Sequence, residues 1–117
     1  MILEGESSGL NKFRDAIEPI INEGSIGSNG TEVSVSDTGL KSEIAGTGIA
    51  IVTTKFDKGI KIEYTTTSGL GSGNTAREWG VDDTDSDNLL RVVFPEIELF
   101  SNSIMSVNSQ LIILQEL

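Results

Sequence analysis

The 117-residue chain has neither cysteine nor histidine. That excludes disulfides, thiolate metal sites, zinc centres of the usual His/Cys kind, and any Ser-His or Cys-His nucleophilic apparatus. Aromatic residues are few, with four Phe, one Trp and one Tyr, which leaves little material for a sugar-binding cleft. Basic residues are few as well. Eight Lys and Arg stand against 18 acids, a formal charge of −10, and such a field repels nucleic-acid phosphates. The nearest approach to a basic patch is Lys55, Lys58 and Lys61, and Asp57 and Glu63 interleave with it. No signal-peptide pattern opens the chain, since "MILEGESS" has neither a basic region nor a long apolar run. The longest aliphatic run, Leu111 to Leu114, falls far short of the roughly 20 residues of a membrane helix. The expectation is a soluble protein with no membrane insertion, no nucleic-acid partner and no cofactor.

What the chain does have is glycine, thirteen of them, with many Ser, Thr and Asn and frequent β-branched residues. This mixture implies short strands and tight turns. One helical pattern stands near the start. Leu10, Phe13, Ile17, Ile20 and Ile21 recur at spacings of three and four, Ser7 or Ser8 is placed to cap, and Pro19 ends or kinks the first stretch near Ile17. A helix at about 9–22 is expected, followed by a β region at about 31–114. "TEVSVS" (31–36) alternates Val33 and Val35 with polar residues and reads as a half-buried strand. "DTGLKSEIAGTG" (37–48) reads as a loop anchored by Leu40 and Ile44. Strands 49–56 and 60–66 flank a "DKG" hairpin turn. "SGLGSGN" (68–74) reads as a flexible hairpin tip, because it lacks the strand-then-helix context of a phosphate cradle. Strands at 76–81, 88–94 and 104–114 complete the set, with breaks at Pro95 and at 100–103. The fold expected is a single mainly-β domain over 1–117, a small β-sandwich or barrel of six to seven short strands with one N-terminal helix.

The stretch Thr75–Pro95 gathers Glu78, Asp82, Asp83, Asp85 and Asp87 beside the lone Trp79. Asp83, Asp85 and Asp87 have the spacing that opens a calcium loop, but the bidentate-glutamate position falls on Phe94 and the flanks read as strands. A solvated turn and a calcium site built of loop carboxylates are both open readings. Glycosidase chemistry needs two carboxyls across a cleft, one with a raised pKa. Glu78 beside Trp79 invites that idea, but strand neighbours point to opposite faces. With no complete nucleophile motif either, the chain reads as a non-enzyme. Strand parity puts Arg77, Trp79 and Val81 on one face and Glu78 and Gly80 on the other. An arginine buried there needs a carboxylate, and Glu43 is the candidate partner. Arg77 and Arg91 as ordinary surface residues is the other reading.

The order of motifs resembles a family of tailed-phage virion proteins that includes tail-fibre and tail-collar N-terminal modules. Its members carry Thr-x-Leu-x-x-Glu, then Arg-Glu-aliphatic-Gly-aliphatic-(Tyr/Phe)-Asp, then a turn and an apolar strand. Thr38, Leu40 and Glu43 match the first motif. Arg77, Glu78, Gly80 and Val81 match the second, and Leu89 and Leu90 open the strand that follows. The match spans about residues 20–100. Trp79 replaces an aliphatic residue, Asp82 stands where an aromatic is usual, and the arginine that often follows the first motif is missing. No long fibrous shaft is expected within these residues. The resemblance implies a compact virion structural component located in the particle: tail, collar, fibre or spike base, or capsid decoration. It implies binding to other virion proteins and self-assembly as a trimer or larger ring. Thr38, Leu40, Glu43, Arg77, Glu78, Trp79 and Gly80 become the structural or interface motif. The alternative is a small calcium- or carbohydrate-binding module using the 82–87 acids and Trp79.

Overall fold

In this computed structural model, which describes residues 7–112, the amphipathic start of the chain forms helix α1 (Ser7–Ile17). Pro19 sits in the 3₁₀ turn Glu18–Ile20 that follows, so the α-helix stops where the missing N–H requires it. The expected helix at 9–22 is therefore shorter at its C-terminal end, and Ile21 already belongs to strand β1 (Ile21–Gly27). Ser7 and Ser8 lie in the first helical turn rather than at the cap. Phe13, expected on the buried stripe, is half exposed, whereas Leu10 is buried. The reason is how the helix is seated. Arg14 Nη1 donates to the Phe56 carbonyl at 2.8 Å, and the Lys58 amide donates to Asn11 Oδ1 at 2.8 Å. The polar pair Asn11 and Arg14, one turn apart, thus faces the neighbouring hairpin and rotates Phe13 outward.

Six further strands follow: β2 (Ile49–Ala50), β3 (Val52–Phe56), β4 (Gly59–Thr65), β5 (Thr75–Asp83), β6 (Asn88–Glu98) and β7 (Ser106–Ile112). They make two antiparallel sheets, one of order β2-β1-β5-β6 and one of order β3-β4-β7. The mainly-β sandwich expected from the sequence is what forms. The stretch 49–56 is one pattern in the sequence but serves both sheets: β2 pairs with β1, the chain turns at Ile51, and β3 pairs with β4. The β3–β4 hairpin closes at Asp57–Lys58 as "DKG" suggests, with Lys58 in the left-handed region.

Along β4 the alternation holds, with Ile60, Ile62 and Tyr64 buried and Lys61 and Glu63 outward. These three meet Ile26, Trp79 and Val81 of the other sheet in one core. The Tyr64 and Trp79 rings meet edge to face with centroids 6.3 Å apart. Tyr64 Oη donates to the Thr47 carbonyl at 2.7 Å, and burial pushes its phenol up to about 12. Trp79 Nε1 is buried without a hydrogen-bond partner among the described residues.

Three expectations fail for local reasons. Residues 31–36 are not a strand. Val33 and Val35 are exposed, and the backbone is taken up by a turn in which the Ser34 amide donates to Asp37 Oδ2 at 2.9 Å and the Asp37 amide to the Ser34 carbonyl at 3.0 Å. The glycine segment 68–74 is not a hairpin tip, because it carries the chain from β4 in one sheet to β5 in the other. It is tied to residues 99–103, with Gly69 N to Ser103 O and Gly73 N to Leu99 O each 2.9 Å. Pro95 does not end β6. It falls where the β5–β6 register shifts, on an edge strand whose outer N–H groups have no ladder to maintain.

Candidate functional site

The β5–β6 hairpin builds the site. Trp79 and Val81 point into the core, so Glu78 and Gly80 face the other way, as strand parity requires. That outer face is covered by the connection 28–48, which leaves β1 and returns to β2. Beneath it the Glu78 side chain is wholly buried, and the Arg91 side chain is 1 % exposed.

The two form an ion pair, Arg91 Nε to Glu78 Oε1 at 2.8 Å, and six further hydrogen bonds tie them to the covering segment. Glu78 Oε1 also accepts from the Lys41 amide at 2.8 Å. Its Oε2 accepts from the Ser42 amide at 2.9 Å and the Asn29 amide at 3.1 Å. Arg91 donates further to the Thr31 carbonyl at 3.0 Å, the Asn29 carbonyl at 3.2 Å and Asp37 Oδ2 at 3.2 Å. Charge-assisted bonds of this kind are roughly twice as strong as neutral ones. Burial pushes the Glu78 carboxyl up. The Arg91 guanidinium and the three backbone amides outweigh it and hold the group below the ordinary glutamate range. Asp37 is lowered too, first by the Ser34 amide, against burial, and then by Lys41 and Arg91.

Two glycines let the segment lie this close. A Cβ on Gly27 would stand 2.6 Å from the Ser42 carbonyl, and one on Gly80 would stand 2.9 Å from Leu40 Cδ2. The outcome is an irregular segment pinned from below that presents Val33 and Val35 to solvent.

The motif residues sort into separate places. Thr38, Leu40 and Glu43 come together with Asp82 around a surface depression of about 150 Å³. Leu40 packs over Gly80. Glu43 is not the partner of a buried arginine: it is exposed and forms a bridge opposite Gly27. Glu78 takes that role, and the arginine is Arg91. Nor does Arg77 share the face of Trp79. Ala76 and Trp79 are both in the core although three residues apart, so the alternation breaks where the register with β6 shifts. Arg77 lies partly exposed, 2.8 Å from Glu96 Oε2 and 3.2 Å from the Ser28 carbonyl. Trp79 is buried on the opposite side from this face and offers no ring for stacking a sugar.

The acidic turn closes the β5–β6 hairpin. Asp83 Oδ1 accepts from the Asp85 and Asp87 amides, both at 2.9 Å, and Ser86 takes a positive φ. Carboxylate oxygens of Asp83, Asp85 and Asp87 lie within 4.8 Å of one another, so the three can face one cation. Glu78 is poorly suited to act as a general acid, because its pKa is lowered and its oxygens are engaged by four donors. No family model, characterised protein or solved structure matches the chain.

The sequence singles out Arg91 as a cation set in a strand but does not pair it with Glu78, and it gives no prominence to Asp37. A signal existed. Once the acidic turn is placed at 83–87, Arg91 falls opposite Gly80 and diagonal to Glu78 on the same face.

Proposed function

We propose that this protein is a virion structural component that acts by protein–protein binding, an oligomeric β-sandwich module of the tail, collar, fibre or spike base, or capsid surface. The observation that carries the reading is the buried Glu78–Arg91 pair beneath the segment 28–48. A fold that spends a desolvated ion pair on an irregular surface segment gains little net stability from it, but it fixes one conformation of that segment. A segment held in advance loses less entropy when it is bound, which favours recognition. The exposed Val33 and Val35 then supply apolar contact at its crest. The motif order 38–43 and 77–90 supports the virion assignment. The partners proposed are other virion proteins and further copies of this chain.

Electron microscopy of particles carrying this protein with a label tests the reading directly. Discrete, symmetric density for the label is expected, whereas purified particles free of the protein would overturn it. Val33→Asp with Val35→Asp is expected to reduce incorporation at unchanged thermal stability, because both side chains are exposed in the folded chain.

A further inference from the structure

A sandwich of two open sheets leaves four edges, and unprotected edges recruit strands. Among the described residues, three of the four are blunted. β2 is only two residues long. β3 carries Lys55, which pairs with Asp15, and α1 caps its end through Arg14 to the Phe56 carbonyl. β6 carries Pro95, two register shifts, Glu96 and Glu98.

β7 differs on every count. Ser106–Ile112 pairs with β4 over seven consecutive positions without a shift and contains no proline and no charge. The neutrality extends beyond the strand, since no acid or base occurs from Leu99 to Ile112 in a chain of net charge −10. Phe100, Ile104, Leu111 and Ile112 are exposed along this stretch.

We infer that β7 is the contact between copies of this chain, pairing antiparallel with β7 of a second copy across a two-fold axis near Ser109. This would merge two three-stranded sheets into one of six strands. Charge identifies the occupant. Two copies at −10 repel over most of their surfaces, and with a screening length of about 8 Å they approach at least cost where neither carries charge. A basic partner, by contrast, would be drawn to the acidic remainder. Full overlap of the strands extends over roughly 24 Å at about 3.4 Å per residue. In that register Val107 stands beside Leu111 of the second copy on the core side, and Asn108 stands opposite Gln110 on the outer side. The inference rests on the proposed oligomeric function but makes it more specific: assemblies built on this contact contain an even number of chains, not three.

Light scattering on gel filtration and sedimentation equilibrium, over a concentration series, test it. The unaltered protein is expected at twice the 12.5 kDa chain mass or an even multiple. Asn108→Glu with Gln110→Glu sets like charges opposite one another on both sides of the two-fold axis and should raise the dissociation constant about tenfold or more. Asn108→Lys with Gln110→Glu leaves net charge unchanged and sets opposite charges across the two-fold, so association should persist. Ala45→Glu with Thr54→Glu adds the same charge on exposed positions away from β7 and should leave association intact. Unchanged Trp79 emission shows that each variant is folded. A trimer, or an oligomer indifferent to the double glutamate change, overturns the β7 contact and leaves the virion reading standing. A strict monomer at millimolar concentration overturns the contact and the oligomeric part of that reading together.

Discussion

Replacing Glu78 by Gln keeps the shape of the buried side chain and removes its charge. The amide NH₂ must take the place of one carboxylate oxygen. Placed at the Oε2 position, it confronts the Ser42 and Asn29 amides; placed at Oε1, it confronts Arg91 Nε and the Lys41 amide. Either way two buried donors lose their acceptor, at about 1–3 kcal/mol each. Arg91 keeps only Asp37 as a counter-charge, at 3.2 Å. Breaking a buried ion pair from one side generally costs about 3–5 kcal/mol, in line with that sum. For a domain of this size each kcal/mol lowers the melting midpoint by roughly 3–5 °C, so a fall of about 10–20 °C is expected. Urea and thermal unfolding followed by the emission of Trp79, the lone tryptophan, measure it. A double-mutant cycle with Arg91→Met should give a coupling of at least about 1.5 kcal/mol. A loss under about 1 kcal/mol for the single change, or additive effects in the cycle, would refute the reasoning that the pair holds the segment.

Gly24→Ala should destabilise by about 1–3 kcal/mol, because the new methyl would lie 2.7 Å from both Tyr64 Cδ2 and Ile51 Cδ1; denaturant midpoints equal to the parent's would contradict that contact. Glu78 and Asp37 both have lowered folded-state pKa values, so the stability they contribute is present above the unfolded carboxylate range near 4. It is lost as pH falls through that range toward the folded values. Melting midpoints should therefore be level from neutral pH to about 5 and drop below about 4, and a midpoint that rises on acidification would reverse the sign. Melts with calcium and with chelator should coincide if the Asp83–Asp87 turn is only a turn. A gain of several degrees in millimolar calcium would instead support the calcium-binding alternative.

The sequence made the strands legible where alternation and a turn coincided. Ile60, Ile62 and Tyr64 follow a "DKG" turn, and both features hold in the fold. Pro19 marked the helix end for a backbone reason that no tertiary contact could override. Val33 and Val35 misled because alternation specifies a strand only when a neighbouring strand accepts its hydrogen bonds. Here Asp37 and Arg91 took the backbone groups first. The site was half legible. Parity puts Glu78 opposite Trp79 correctly, but which carboxylate meets the buried arginine depends on where the hairpin turns, and charge alone points to Glu43 instead of Glu78. The register shift that turns Arg77 away from the face of Trp79 leaves no mark in the residue pattern except Pro95, which by itself signals a strand end as much as a bulge.

The Glu78–Arg91 pair also predicts an order of events in folding. Glu78 and Arg91 are 13 residues apart on one hairpin, so their bond closes a short loop. The bonds from this pair to the covering segment span 36 to 62 residues, and each must wait for a long closure. The hairpin is therefore predicted to form first, with the segment 28–48 condensing on it afterwards. In pulse-labelled refolding, the amides of Trp79 to Val81 should gain protection before those of Lys41 and Ser42; the reverse order would mean that the segment shapes the hairpin.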